Sequence, residues 1–164
     1  MRIITLIVIV SSPLLAQDPN IPAGWRSPVQ SEYDAPWRAQ FDTHLFSAAA
    51  DIDGDEILDY ALLAISNDSN EYCLIVTRSS VQNNGYEIIE RGPAGDLLFL
   101  CLEAIPPGEF ATACGKGYWD CADDEQPEIV LDLPAFNFFI NEGTSSYLYW
   151  DSKENKMQRV WISD

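Results

Sequence analysis

Short apolar or alternating segments, separated by turn residues, are the feature of this chain that most restricts its fold. The turn sequences NDSN at 67–70, NNG at 83–85 and GPAG at 92–95 bound segments of strand length. Strands are predicted at 58–66, 71–78, 86–91, 97–105, 128–133, 135–140, 146–150 and 157–162. Turns recur about every ten residues, and no long segment has a 3.6-residue apolar period. We therefore expect a mainly all-β domain, a single antiparallel meander that forms a sandwich, a barrel or a propeller-like sheet.

The first 16 residues have the order of a secretory signal peptide. Arg2 supplies a positive charge, residues 3–10 (IITLIVIV) are apolar, and Ala16 is a small residue that suits cleavage. The apolar run is shorter than the about 20 residues needed to span a bilayer. A buried N-terminal strand is the alternative. We expect an exported protein, periplasmic or secreted, without a membrane span.

Residues 17–43 are predicted to form an irregular N-terminal arm, because prolines punctuate the stretch and resist both helix and central strand. Trp25, Tyr33, Trp37 and Phe41 lie there among polar residues, and we expect them to pack onto the domain, with a helical turn near 35–41. The chain has 164 residues, which favours one domain. Residues 44–164 would form that β-rich domain.

Acidic residues far outnumber basic ones. The chain has 26 Asp and Glu against 9 Lys and Arg, a formal net charge of −17, and removal of residues 1–16 would take away Arg2 and leave −18. A chain of this charge repels phosphate backbones and anionic membranes, which makes nucleic acid a poor partner, and it attracts cations and basic proteins. Solubility alone is the alternative explanation.

Four cysteines, an even number, follow the predicted signal peptide: Cys73, Cys101, Cys114 and Cys121. In an oxidising compartment this favours two disulfides. Three pairings are possible. Cys114 and Cys121 flank a short Gly-containing turn, which favours their pairing, and Cys73 and Cys101 would then be neighbours in a sheet. Zinc is the competing ligand, but the sequence has no CxxC pair.

The segment 51–59 (DIDGDEILD) predicts a calcium site. Positions one, three, five and nine of this loop carry carboxylates, from Asp51, Asp53, Asp55 and Asp59. Calcium takes six to eight oxygen ligands, and this alternation turns successive carboxylates toward one point. Ile57, at position seven, would contribute its backbone carbonyl. Without a cation the carboxylates would repel one another. An acidic surface turn is the alternative.

The loop differs from an EF-hand at two positions. Glu56 stands at position six, where the EF-hand has Gly, and Leu62 stands at position twelve, where it has a bidentate Glu. The residues that follow alternate like a strand. The loop therefore resembles the strand–loop–strand calcium loops of the FG-GAP type, which have the pattern DxDGDxxxD.

A wider resemblance covers most of the chain after the signal peptide. It comprises WRSP at 25–28, ADIDGDEILDYALLAI at 50–65, CGKGYWDC at 114–121 and SYLYWDSKENKMQRVWISD at 146–164. This order resembles a family of small exported bacterial proteins of unassigned function. More distantly, the compartment, size, β pattern and metal loop resemble exported β-rich inhibitors of lysozyme, including calcium-binding immunity proteins. This second resemblance assigns no inhibitory residue.

Tyr118 and Trp119 lie between Cys114 and Cys121 and are the predicted partner-binding residues, because Tyr and Trp are enriched among residues that dominate binding energy. Their alternative role is to cover the core. The acidic run at 120–125 is expected to be a solvated face.

Catalysis has little support in the sequence, which has one histidine, His44, and no GxSxG motif. We expect a non-catalytic protein-binding module, such as an inhibitor or immunity protein for a basic envelope hydrolase. The alternative is a secreted hydrolase or glycan-binding protein with a structural calcium. A groove lined by Trp and convergent carboxylates would favour the alternative; a projecting loop on an acidic face would favour the module.

Overall fold

A computed structural model describes residues 21–41, 45–80 and 85–164. The predicted signal peptide, residues 1–16, and the single histidine, His44, lie outside the described residues. The strands are β1 (Trp25–Arg26), β2 (Ser47–Ala50), β3 (Asp59–Ser66), β4 (Glu71–Thr77), β5 (Tyr86–Pro93), β6 (Leu100–Ile105), β7 (Gly108–Ala111), β8 (Glu128–Leu131), β9 (Ala135–Ile140), β10 (Ser145–Asp151) and β11 (Lys156–Ser163). One helical turn, α1 (Gln30–Tyr33), and the 3₁₀ helices Pro36–Gln40 and Ala94–Leu98 complete the regular structure of these residues.

The strands form two main antiparallel sheets and a ribbon, which confirms the predicted all-β class. The first sheet has the order β1-β3-β4-β5, and β2 pairs with the other half of the β3 edge that β1 occupies. The second sheet has the order β11-β10-β9-β6, and β7 and β8 form the ribbon. The described residues contain no closed barrel. The architecture is a sandwich-like stack of two sheets.

The core lies between the two sheets because alternate residues of each strand point to the same face. On β4, Tyr72, Leu74 and Val76 belong to the central core, whereas Cys73 and Ile75 belong to a second cluster on the outer face. The second sheet contributes alternate residues to the same central core: Leu100, Leu102, Phe136, Phe138 and Leu148. Each large apolar side chain buried in this way contributes about 1.5–3 kcal/mol.

A polar bridge links β5 of the first sheet to β11 of the second. Glu90 accepts a hydrogen bond from the Tyr72 hydroxyl (2.6 Å) and pairs with Arg159 (Nη1–Oε2 2.6 Å). Arg159 Nε also donates to Ser146 Oγ at 3.0 Å. Burial raises the pKa of Tyr72, and the Glu90 carboxylate raises it further. The bridge therefore holds a phenol, a carboxylate and a guanidinium together across the sandwich.

The ribbon β7–β8 covers the outer face of the second sheet. Phe110 on β7 packs edge-on against Tyr147 on β10, with ring centroids 5.0 Å apart. Beyond the ribbon, Ala113 N donates to Trp161 O (2.8 Å), and Lys116 Nζ donates to Ile162 O (2.9 Å). These contacts fix the segment that follows β7 against β11.

The predicted N-terminal arm, 17–43, is more ordered than expected in its described part, which contains β1, α1 and a 3₁₀ helix at the predicted turn. Trp25 is buried in the outer cluster, Tyr33 packs on Phe46, and Trp37 Nε1 donates to Leu98 O (3.1 Å). Three of the four arm aromatics therefore pack onto the domain as predicted, while Phe41 is 42% exposed.

The strand predictions differ from the structure at β1, at β2, at residues 97–98 and at β7. β2 has the sequence SAAA, and alanine has low strand propensity, but Ala48 and Ala50 fill space in the core. Residues 97–98, predicted as strand, lie in a 3₁₀ helix that buries Leu97. β7 was not predicted.

The expected Cys73–Cys101 disulfide is wrong, since both thiols are free and buried. Cys73 faces the outer side of the first sheet, away from the central core. Cys101 lies on β6 between Leu100 and Leu102, which face the central core. The Cys101 side chain therefore lies on the outer side of the second sheet. The sandwich therefore separates the two thiols. The other expected bridge, Cys114–Cys121, is confirmed, with a Cα–Cα distance of 4.9 Å.

Candidate metal loop and acidic groove

The aspartate loop 51–59 connects β2 to β3. Asp51 organises the turn, because its Oδ1 accepts hydrogen bonds from Gly54 N (2.7 Å) and Asp55 N (3.2 Å) and its Oδ2 accepts one from Glu56 N (2.9 Å). At the end of the loop, Asp59 is the first residue of β3 and is fully buried. The two ends of the loop are therefore fixed by carboxylates.

Asp51, Asp53 and Asp59 converge on one point. One oxygen of each lies within 4.8 Å of those of the other two, and these residues could hold a metal ion. A calcium ion binds oxygen at 2.3–2.6 Å, so ligands on opposite sides of one ion lie about 5 Å apart. The Asp53 side chain is only 6% exposed, and its Oδ1 is buried without a hydrogen-bond partner. A buried, unpaired carboxylate oxygen is costly, and a cation would satisfy it.

The charged form of Asp59 is also destabilised by its surroundings. Its oxygens accept hydrogen bonds from Ile52 N (3.0 Å) and Ser79 N (2.8 Å), which favour the charged form. Burial nevertheless raises the pKa of Asp59, and the nearby charge of Asp53 raises it further. A bound cation would oppose both effects because it stabilises the carboxylate form.

The structure does not bring Asp55, the fourth predicted carboxylate, into this group. Its Oδ1 accepts a hydrogen bond from Ile57 N (2.8 Å), and its Oδ2 accepts one from Ser79 Oγ (2.9 Å). The side chain thus ties the loop to the residues that follow β4. Ile57 is 58% exposed, and the role of its carbonyl as a ligand stays a prediction.

One arginine lies beside the metal loop. Arg78 Nη1 is 3.6 Å from Asp53 Oδ2, and its guanidinium stacks 3.5 Å from the centroid of the Trp150 ring. Ser80 Oγ donates to the same Asp53 oxygen at 2.5 Å. Arg78 therefore supplies part of the positive charge that the loop requires, and sequence spacing gave no sign of it because it arrives from the end of β4.

Position six of the loop has the backbone conformation that glycine provides in an EF-hand. Glu56 has φ 67°, and Gly54 has φ 81°. A left-handed conformation costs a non-glycine residue about 1–2 kcal/mol. The departure from the EF-hand sequence at Glu56 is therefore not a departure in backbone conformation.

A second acidic region is built on the disulfide loop. The Cys114–Cys121 bond closes it, and Thr112 N and Oγ1 donate to Pro127 O (3.0 Å) and Gln126 O (2.7 Å). Gly115 lies so close to the Pro127 carbonyl that a Cβ atom would be 1.8 Å from the oxygen, so only glycine fits. These contacts make the loop rigid.

A groove of about 470 Å³ separates this loop and β8 from the outer face of β10 and β11. Trp119 and Tyr149 line it from its two sides, and Trp161 borders it through the backbone of β11, because the Trp161 ring stacks with Arg159 on the inner face of the sheet. Its acidic lining comes from Asp124, Glu125, Glu128, Asp151 and Glu154. Arg159 is the one basic residue in the described lining, and it is already paired with Glu90.

The two predicted partner-binding residues have different environments. Tyr118 is 52% exposed at the tip of the loop. Trp119 is half-buried in the groove wall, and its Nε1 donates to Glu125 Oε2 (3.1 Å), an oxygen that also accepts from Ala122 N (3.1 Å). Sequence reasoning missed Tyr149 on the opposite wall, because only tertiary packing places β10 and β11 beside the loop.

Comparisons of the chain with protein-family models, with curated proteins and with solved structures find no match. Within 21–41, 45–80 and 85–164, no helix has the length and apolar character needed to cross a membrane. Evidence for function therefore comes from the two sites themselves.

Proposed function

We propose that this chain is an exported, non-catalytic, calcium-binding β-domain that acts by binding a basic protein. Its best-fitting role is that of an inhibitor or immunity protein for a basic envelope hydrolase such as a lysozyme. The metal would hold the aspartate loop, and the acidic face around the disulfide loop would receive the partner.

Calcium is the ion that suits the loop best. The converging ligands are carboxylate oxygens, which hard cations prefer, and the group contains no His or Cys that would favour zinc. The environment of Asp53 Oδ1 supports an ion here. This carboxylate oxygen is buried and accepts no hydrogen bond, so it is available to coordinate a cation.

The acidic aromatic groove is the observation that carries the proposed partner class. Five acidic residues line the groove together with Trp119 and Tyr149, and the chain as a whole has a net charge of −17. Such a surface accelerates association with a basic protein through long-range attraction, while aromatic contacts slow dissociation. A sequence with one histidine and no GxSxG motif offers no comparable support for a Ser–His nucleophile.

A groove lined by Trp and carboxylates is the feature expected for the second candidate, a glycan-binding protein or hydrolase with a structural metal, so the same groove favours that candidate as well. Trp119 lines it together with acidic residues, and sugars stack on indole rings while acid pairs cleave glycosidic bonds. A net negative groove suits a neutral glycan less well than a cation, which is why we rank this function second.

Binding and inhibition assays with a panel of basic envelope hydrolases, lysozyme included, test the proposal. Association with at least one of them should be fast at low salt and slower at high salt, because screening beyond about 8 Å at physiological ionic strength removes the attraction. Each assay is run in millimolar calcium and in chelator. No binding by any member, combined with turnover of a glycan by the protein itself, would reject the proposal in favour of the second candidate.

A further inference from the structure

The protein repeatedly packs an arginine on an indole ring and pairs it with a carboxylate. Arg159 lies 4.3 Å from the centroid of Trp161 and pairs with Glu90. At the metal loop, Arg78 lies 3.5 Å from the centroid of Trp150 and 3.6 Å from an Asp53 oxygen. A guanidinium suits both partners, because its flat face stacks on an aromatic ring while its edge donates to oxygen.

The groove presents the other two groups of this arrangement, an indole ring and carboxylates, at the protein surface. Trp119 is oriented by its hydrogen bond to Glu125, and the exposed acidic residues Asp124 and Glu128 line the same wall. The opposite wall adds Tyr149 and Asp151. Arg159, the one basic residue in the described lining, already forms an ion pair with Glu90.

From this arrangement we infer that the groove binds an arginine side chain of the partner protein, stacked against Trp119 and paired with the Asp124 and Glu128 carboxylates. The inference rests on the proposed function and names the part of a basic partner that the groove recognises. The disulfide, the close Gly115–Pro127 contact and the Trp119–Glu125 bond hold the receiving wall in place before binding. A preformed wall loses little conformational freedom when the partner arrives.

Arginine fits this groove better than lysine for a geometric reason. The groove combines acidic residues with the Trp119 ring, which is hydrogen-bonded to Glu125, so a ligand that contacts both uses a flat cationic face and several donors at once. An ammonium group is a compact and strongly hydrated charge, whereas a guanidinium has five donors in a planar fork.

The direct test is a titration with a short acetylated Gly-Arg-Gly-Arg-Gly peptide, followed through the indole N–H resonances of the protein by NMR. The matched ligand replaces both arginines with citrulline, which keeps the shape and removes the charge. The arginine peptide should shift the Trp119 indole resonance, assigned through Trp119→Phe, and the citrulline peptide should not. Equal shifts with both peptides, or no shift at Trp119, would overturn the inference.

Paired charge variants separate the groove from general attraction. Asp124→Asn with Glu128→Gln removes two groove carboxylates, and Asp68→Asn with Glu87→Gln removes two exposed carboxylates from the other sheet. The groove variant should raise the Kd of the arginine peptide about fivefold to tenfold, as expected for two partly exposed charge pairs. The control variant should stay within about twofold. Equal losses in the two variants would overturn the inference.

The outcomes also distinguish this inference from the proposed function. If a basic hydrolase binds equally well to the groove variant and the control variant, the groove assignment is wrong while the proposed function stands. If the peptide binds at Trp119 but no basic protein in the panel does, the groove assignment stands and the proposed function is wrong. A neutral chitooligosaccharide that shifts the Trp119 resonance when the arginine peptide does not would overturn both.

Discussion

The aspartate loop 51–59 and the disulfide loop region 114–128 are both acidic, but they direct their carboxylates in opposite ways. In the first, Asp51, Asp53 and Asp59 converge, and Asp59 is fully buried. In the second, Asp124 and Glu128 are exposed and line a groove. One loop concentrates negative charge where it destabilises the fold unless a cation is present. The other has its backbone held by a covalent bond, which leaves its charge available to a ligand.

Removal of calcium should affect the two loops very differently, and it is one of the two largest effects we expect. Calcium at 100 times its Kd should stabilise the protein by about 2.7 kcal/mol, and Asp53→Ala should abolish that response. Thermal unfolding in chelator and in millimolar calcium measures it. Asp68→Asn, which removes an exposed charge outside both loops, is the control and should keep the full response. Identical melting in chelator and calcium for the unaltered protein would contradict a metal site.

Removal of the disulfide should destabilise the protein without altering its response to calcium. Cys114→Ser with Cys121→Ser opens a short loop, which costs about 2–3 kcal/mol by chain entropy. Chemical denaturation in calcium and in chelator measures both quantities. An altered calcium response in this variant would show that the two loops are energetically coupled.

A thiol titration tests which of the four cysteines are free. The unreduced, denatured protein should contain two free thiols, Cys73 and Cys101, whereas the native protein should react slowly. Burial raises the pKa of Cys73 to about 12 and that of Cys101 to about 11, so both thiols are protonated near neutral pH. Finding no free thiol after denaturation would restore the second bridge expected from sequence.

Arg78 is a cation that the fold itself places at the aspartate loop. Arg78→Met keeps an apolar stem against Trp150 and removes the charge. Calcium should then bind about fivefold more tightly, since a repulsion of about 1 kcal/mol disappears. In chelator the variant should be less stable than the unaltered protein. Calorimetric titration gives the affinity, and Arg78→Lys, which keeps the charge, should leave it close to its original value.

The smallest expected effect concerns the backbone at Glu56. Glu56→Gly should relieve the left-handed conformation and stabilise the metal-free loop by a few tenths of a kcal/mol to about 1 kcal/mol, since the greater entropy of unfolded glycine offsets part of the gain. Glu56→Gln removes the same charge without freeing the backbone, so the difference between the two variants isolates the conformational term. A Gly variant less stable than the Gln variant would show that the φ angle carries no strain.

Local sequence rules predicted the features that local chemistry determines. The β3–β4 hairpin followed from two apolar runs around NDSN, and the disulfide at 114 and 121 followed from a short turn. The clustering of Asp51, Asp53 and Asp59 followed from their spacing. In each of these examples the interacting residues are close in the chain, so the pattern itself contains the geometry.

Features that depend on distant contacts could not be predicted. The side of the sheet on which Cys73 and Cys101 lie depends on strand register in two different sheets, and a shift of one residue reverses it. Arg78 reaches the aspartate loop, and Tyr149 reaches the groove, only through the packing of separate strands. The orientation of Asp55 depends on a hydrogen bond from Ser79, which lies 24 residues further along the chain, so the loop sequence alone does not predict it.

The irregular pairing of β5 has a consequence for how the protein behaves at high concentration. β5 ends the first sheet, and its register with β4 shifts between Ile88 and Glu90, which leaves Ile89 as an extra residue. A bulge bends the outer strand, and the charges of Glu87 and Arg91 together with Pro93 at its end make it a poor template for a strand of another molecule. The bulge, the charges and the proline therefore protect this edge of the first sheet from pairing with a strand of another molecule.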